Sequence, residues 1–215
     1  MGADIVIALV LISLVQAFLV KPFRVPSQSM ENTLRIGDRI VVSRLPHTIT
    51  RGDVVVFGHG DTWQQPERPP ATNVVVRGLR IFGDLTGIGP SSRTYTVKRV
   101  IGLPGDTVGC CTTQGAVTVS GKALIEPYVF EDLPFTPGSV DCASTPASSR
   151  CFGPITVPAE TLLVLGDHRS QSADSVLPCR GSPTPTPGCA RFVPEVRVIG
   201  PVVARIWPPG SIGGM

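Results

Sequence analysis

Tyr95-Thr-Val-Lys-Arg-Val-Ile101, running directly into Gly102-Leu-Pro-Gly-Asp106, sets the fold class. Its first seven residues are rich in β-branched side chains. Period-two alternation places Thr96, Lys98 and Val100 on one face of a strand and Tyr95, Val97, Arg99 and Ile101 on the other. Pro104-Gly105 suits the two central positions of a type II turn. Similar short runs recur at Arg39-Ile-Val-Val-Ser43, Asp53-Val-Val-Val-Phe57, Val117-Thr-Val119, Leu162-Leu-Val-Leu165 and 196–206. Gly37-Asp38, Arg51-Gly52-Asp53 and Gly121-Lys122 punctuate them. The pattern predicts a mainly β, antiparallel chain. Residues 73–88 read as one short helix, with Val76, Leu79, Phe82 and Leu85 on one face, although Gly78 and Gly83 weaken it.

Composition supports this. Among 215 residues there are 23 Gly and 22 Pro, which disfavour helix interiors by about 1 and 3 kcal/mol each and so exclude a helical bundle. A hydrophobic fraction of 42% with only 16% charged residues excludes a charge-rich disordered chain. The net charge of +3 gives no sign of nucleic-acid binding. Among the 19 basic residues only Lys21, Lys98 and Lys122 are lysines, so each marks a position where arginine was not used.

Residues 5–20 read IVIALVLISLVQAFLV, without a charge. Sixteen helical residues rise about 24 Å against a hydrocarbon core of about 30 Å, so residues 1–22 are expected to form a single transmembrane anchor. A cleaved signal peptide and a buried core helix are the rival readings, and no basic residue precedes the run as a signal peptide would require. Lys21 and Arg24 follow it, which by the positive-inside rule places the body in the cytoplasm. The six cysteines argue the opposite, since paired thiols in Pro/Gly/Ser/Thr-rich loops suit an oxidising, extracytoplasmic compartment. The expected pairs are Cys179 with Cys189, and Cys110 or Cys111 with Cys142 or Cys151. His47, His59 and His168 are scattered and no C-x-x-C or H-E-x-x-H occurs, so neither a metal site nor a cofactor is expected.

Three stretches carry candidate chemistry. Pro26-Ser27-Gln28-Ser29-Met30-Glu31-Asn32-Thr33-Leu34 follows the apolar run closely. Taken alone it reads as a capping turn. Lys98 is the second element. Arginine stays protonated, whereas a lysine whose pKa is brought from about 10.4 down to about 7, at about 4–5 kcal/mol of differential interaction, becomes a base. Its bland alternative is a lysine whose head reaches water. The third, Gly166-Asp-His-Arg-Ser-Gln-Ser-Ala-Asp-Ser175, follows the apolar run Leu162-Leu-Val-Leu165 and alone would be only a turn.

Together, and in this order, these stretches resemble bacterial type I signal peptidase, the membrane-bound Ser/Lys endopeptidase that removes signal peptides. The resemblance runs from the anchor through Pro26-Ser-x-Ser-Met30, Arg51-Gly-Asp-Val-Val-Val-Phe57, Val97-Lys-Arg-Val-Ile-Gly-Leu-Pro-Gly-Asp106 and 166–175 to 193–208. It implies an antiparallel β catalytic domain over 23–210, with insertions near 58–92 and 107–160, the latter holding a Cys-bearing loop at 134–154. It implies Ser29 as nucleophile and Lys98 as general base. The Ser29 main-chain N–H and the Ser27 hydroxyl would be oxyanion donors. Ser172 would hydrogen-bond and orient Lys98, Asp174 would support it, and Gly166 and Asp167 would be structural. Val25, Pro26, Met30, Leu34 and Val97 are candidates for the substrate pocket by their proximity in sequence.

The resemblance also implies the partners: secretory preproteins with small residues before the scissile bond, the lipid bilayer and a nearby export translocon, with the catalytic domain outside the cytoplasm. Three positions depart from the family pattern. Asn32 replaces Pro, which should loosen one turn. His168 replaces Asn, and Val176 replaces an arginine that pairs with the acid matching Asp174. Arg180, Arg191 or a serine is then needed as the partner of Asp174. Two rival hydrolase signatures, G-x-S-x-G and S-x-x-K, are absent. A tethered β-domain that binds peptides without cutting them is the alternative from another functional class.

Overall fold

The computed structural model describes residues 18–59, 63, 73–86, 94–182, 184 and 187–214, together with residues 4, 7 and 11. Among the described residues, twelve strands form two antiparallel sheets. The larger runs β1 (Val20–Arg24), β2 (Arg39–Ser43), β11 (Val198–Trp207), β3 (Val54–Gly58), β4 (Tyr95–Gly102), β9 (Thr161–Leu165) and β10 (Val193–Pro194), with β12 (Gly213–Gly214) also on β11. The smaller runs β7 (Lys122–Ala123), β6 (Val117–Val119), β5 (Thr107–Cys110) and β8 (Phe152–Thr156).

The strand expected at 95–101 is β4, one residue longer. Its alternation holds: Val97 packs with Val54 and Val56, and Val100 packs with Val55, Phe57 and Val164 in a different cluster. The turn after it is closed by Asp106 N donating to Leu103 O at 3.0 Å, and Gly105 takes a φ of +85°, the left-handed value that a type II turn demands. β9 lies between β4 and β10 and is buried on both sides, Leu163 and Leu165 in one cluster and Leu162 and Val164 in another. That burial accounts for its unbroken apolar run.

Other expectations change. β1 begins at Val20, so the last residues assigned to the anchor belong to the sheet, where Lys21 pairs with Val42. Most of the anchor lies outside the described residues, among which no helix is long and apolar enough to cross a membrane. The segment expected as an insertion near 107–160 supplies the second sheet and a core of its own, with Val108, Val117, Phe152 and Ile155 packed against Leu163 and Leu165. The predicted helix is α1 (Val74–Thr86), started by Asn73, whose Oδ1 accepts from Val75 N at 2.8 Å. Its Val76 and Leu79 are exposed.

The cysteine pairs are Cys110–Cys111, Cys142–Cys151 and Cys179–Cys189. The last was expected. The cross-pair between Cys110 or Cys111 and Cys142 or Cys151 is not formed, because each of these two pairs closes locally.

Candidate active site

Ser29 sits in the connection between β1 and β2. The chain turns there through Glu31 N donating to Gln28 O at 2.9 Å and Leu34 N to Met30 O at 2.7 Å. Met30 and Leu34 anchor this turn in the cluster formed by Val25, Ile40, Val42, Val54, Val56, Val97 and Val202. Asn32 takes a φ of +78°. Proline, fixed near −65°, cannot adopt it, so the departure at this position is a left-handed kink rather than a loosened turn.

Lys98 reaches this turn from the centre of the sheet. Its Nζ lies 2.5 Å from Ser29 Oγ, and both side chains are buried, at 2% and 6% exposure. Burial lowers the lysine pKa from 10.5 to about 8, while the Asp174 and Asp167 charges pull it back upward. The Ser27 and Ser29 hydroxyl oxygens lie 3.3 Å apart. The fold therefore brings together the expected serine, amine and neighbouring hydroxyl.

The segment after β9 holds the turn in place. Asp167 is wholly buried and accepts Arg99 Nε at 2.8 Å, Arg99 Nη2 at 2.6 Å and Thr33 Oγ1 at 2.5 Å. The main-chain N–H of His168 donates to Ser29 O at 3.2 Å. The His168 ring meets Glu131 at 3.1 Å and Glu31 at 3.4 Å, and stands edge-on to Phe130. These contacts tie the His168 ring to the connections on either side of it.

Asp174 is buried and pairs with Arg180 at 3.1 Å across the 3-10 turn Leu177–Cys179. Arg180 thus takes the place that Val176 leaves vacant. Ser172 is buried, but its Oγ has no hydrogen-bond partner among the described residues. The bond expected from it to Lys98 is not formed, and its side chain packs instead against Gly166.

The pocket candidates differ in burial. Val25, Met30, Leu34 and Val97 are core side chains beneath the Ser29 turn, Leu34 at 0% exposure, and only Pro26 faces solvent. One residue near the site carries no sequence signal. His59, just after β3, is buried, hydrogen-bonds Thr96 Oγ1, and has its pKa lowered by desolvation and by the Lys98 charge. It opens the 58–92 insertion, where no local pattern marks it. Among the described residues, the sulfurs of Cys111, Cys142 and Cys151 lie within 4.8 Å of one another, but each belongs to a disulfide.

A hydroxyl against a buried amine on an antiparallel β scaffold is the arrangement of a serine hydrolase that uses lysine as its base. The family model for signal peptidase, peptidase S26, matches residues 1–207. The chain is 35% identical to a probable signal peptidase I of Mycobacterium leprae, over 98% of this chain and 76% of that protein. It is 36% identical to the signal peptidase I of Mycobacterium tuberculosis, over 97% of this chain and 72% of that protein. A crystal structure of a signal peptidase I from Enterococcus faecalis aligns with 72% of this chain and 97% of that chain, at 22% identity and a TM-score of 0.37. The chain belongs to the signal peptidase family, peptidase S26, and is a serine protease of the signal peptidase I type.

Proposed function

We propose that the protein cleaves signal peptides from secretory preproteins with Ser29 as nucleophile and Lys98 as general base. The carrying observation is the 2.5 Å contact between two buried side chains, one of them an amine lowered to about 8. Neutral Lys98 takes the Ser29 proton as Oγ attacks the scissile carbonyl. The tetrahedral oxyanion is received by the Ser29 N–H and the Ser27 hydroxyl. Collapse expels the amine of the mature protein, which takes the proton from Lys98 and leaves an acyl ester on Ser29. Water, deprotonated by Lys98, then hydrolyses that ester and restores both residues. Asp174, held by Arg180, sets a negative charge near Lys98, and Ser172 packs against Gly166 in the same segment.

Small residues before the scissile bond fit this reading, because an extended substrate must approach a nucleophile that is only 6% exposed and a large side chain would clash. The N-terminal apolar run before β1 anchors the enzyme in the cell membrane with the catalytic domain on the extracytoplasmic side. The three disulfides support that compartment. The anchor keeps the site near the bilayer, where the apolar part of a signal peptide and the export translocon are found, which raises the effective concentration. The test is incubation of the purified protein, Ser29→Ala and Lys98→Ala with a preprotein, followed by sequencing of the new N-terminus. Wild-type cleavage and two folded, inactive variants are expected. Full activity in either folded variant overturns the assignment, and a folded wild-type protein that binds but does not cut leaves the peptide-binding alternative.

A further inference from the structure

α1 turns an apolar face outward. Val75 is 68% exposed and Leu79 51%, and Val74 and Ile81 are exposed as well, whereas Gly83 is buried and Val76 is the least exposed of its valines. At 100° per residue, Val74, Val75 and Leu79 occupy one arc, and Arg77 and Arg80 lie on the opposite one. A helix that faced only water would not place valine and leucine on its outer side.

The segment bearing α1 is rooted where the chain leaves the N-terminal apolar run. It departs after Gly58 and returns at Tyr95, which are paired across β3 and β4. Tyr95 stands edge-on to Phe23 at 5.0 Å, and Lys21 Nζ lies 5.5 Å from both rings. Phe23 is in β1, whose first residue, Val20, follows the apolar run directly. Nine residue steps lead from Thr86 to Tyr95, which limits their separation to about 32 Å.

We infer that α1 is a second membrane contact, lying in the headgroup region of the same bilayer with Val74, Val75 and Leu79 in the acyl boundary. An amphipathic helix with arginine on its polar face binds in this way, and its attachment beside the anchor makes insertion effectively intramolecular. Arg77 and Arg80 outnumber the one acid on the helix, Asp84, and with Lys21 beside Tyr95 at the root of the segment they complement anionic phospholipid headgroups. The contact would fix the rotation of the catalytic domain about its anchor and so the height of Ser29 above the membrane. The inference rests on the reading of the N-terminal apolar run as an anchor.

The experiment separates the two. Every cysteine among the described residues is in a disulfide, so one introduced thiol can be labelled alone. Full-chain Val75→Cys, Leu79→Cys, Leu11→Cys and Ile125→Cys proteins, each carrying an environment-sensitive fluorophore, are reconstituted into vesicles of phosphatidylcholine and phosphatidylglycerol. The lipids are brominated either near the headgroup or near the chain end. Quenching of the labels at 75 and 79 by shallow bromines, and of the label at 11 by deep bromines, is expected, with none at 125. Quenching at 11 but not at 75 or 79 overturns the inference and leaves the anchor standing. No quenching at 11 overturns the anchor, and the inference with it. Shielding at 75 that depends on protein concentration in detergent marks a second copy of the chain as the occupant and also overturns it. A Val75→Asp/Leu79→Asp variant should cut a membrane-inserted preprotein at least about threefold more slowly while cutting a short soluble peptide at the wild-type rate. Equal loss on both substrates contradicts the inference.

Discussion

Gly166 lies so close to Ser29 that a β-carbon on it would stand 2.5 Å from the Ser29 main-chain oxygen and overlap the Ser172 side chain. Neither neighbour can yield cheaply, since one is backbone and the other is packed in a buried segment. Gly166→Ala should therefore push the Ser29 turn away from Lys98. A stability loss of about 1–3 kcal/mol is expected from overpacking. kcat/KM should fall by roughly a hundredfold, because an ångström of misplacement at the nucleophile suffices for that. Urea unfolding and cleavage of a peptide substrate check both values, and a variant that keeps wild-type kcat/KM contradicts the packing argument.

In the proposed mechanism Lys98 acts only as the free amine, so its pKa of about 8 sets the acid limb of the rate profile. kcat/KM should rise about tenfold per pH unit up to about pH 8 and then level. Stability follows the same proton over another window. The folded value lies below the ordinary 10.5, so between about 8 and 10.5 the unfolded chain holds the extra proton and stability increases with pH. Below 8 both states are protonated and the penalty, on the order of 3 kcal/mol, is fully present. Lys98→Met should accordingly be inactive yet more stable than the wild type at neutral pH, with the gap closing toward pH 10.5. Denaturant curves at neutral and alkaline pH measure this, and a less stable Met variant at neutral pH would oppose it.

The meeting of Ser29 with Lys98 was legible because the proposed chemistry requires particular side chains, one hydroxyl and one amine that can lose its proton, and each sits in a stretch with a recognisable order. β4 and β9 were legible because their alternation or unbroken apolar character reports burial directly. β8 was not, since Phe152-Gly-Pro-Ile-Thr156 interrupts its pattern with Gly and an exposed Pro154. The partner of Asp174 stayed open among several residues because the reach of Arg180 depends on the 3-10 turn between them, which no spacing rule specifies. Cys179–Cys189 was expected, whereas Cys142–Cys151, just as local in sequence, was not. Nor was Cys110–Cys111, because adjacent cysteines in a short strand read as candidates for different partners.

Asp174 favours the protonated form of Lys98, and its own charge is balanced by Arg180. Asp174→Asn removes the attraction, so the acid limb of kcat/KM should move to lower pH. The substitution also strands a guanidinium whose side chain is only 9% exposed, at a cost of about 3–5 kcal/mol. Thermal unfolding together with a pH–rate profile of the folded fraction checks the prediction. A limb displaced upward would mean that the carboxylate does not act on Lys98 through charge.

His168 touches the nucleophile turn in two separable ways, through its main-chain N–H on Ser29 O and through its ring on Glu31 and Glu131. The main-chain bond reaches the Ser29 carbonyl directly, whereas the ring reaches only Glu31 and Glu131, so the main-chain bond is the part that places Ser29. His168→Ala retains that bond and should cost only a few-fold in kcat/KM, with about 1 kcal/mol of stability. His168→Pro removes the donor at a residue whose φ of −85° lies close to what proline accepts, so the bond is lost with little change in backbone direction. A further loss of about tenfold or more in kcat is expected for Pro over Ala, with KM little changed, because the bond positions the nucleophile rather than the substrate. Equal kinetics for the two variants would transfer the role from the main chain to the ring.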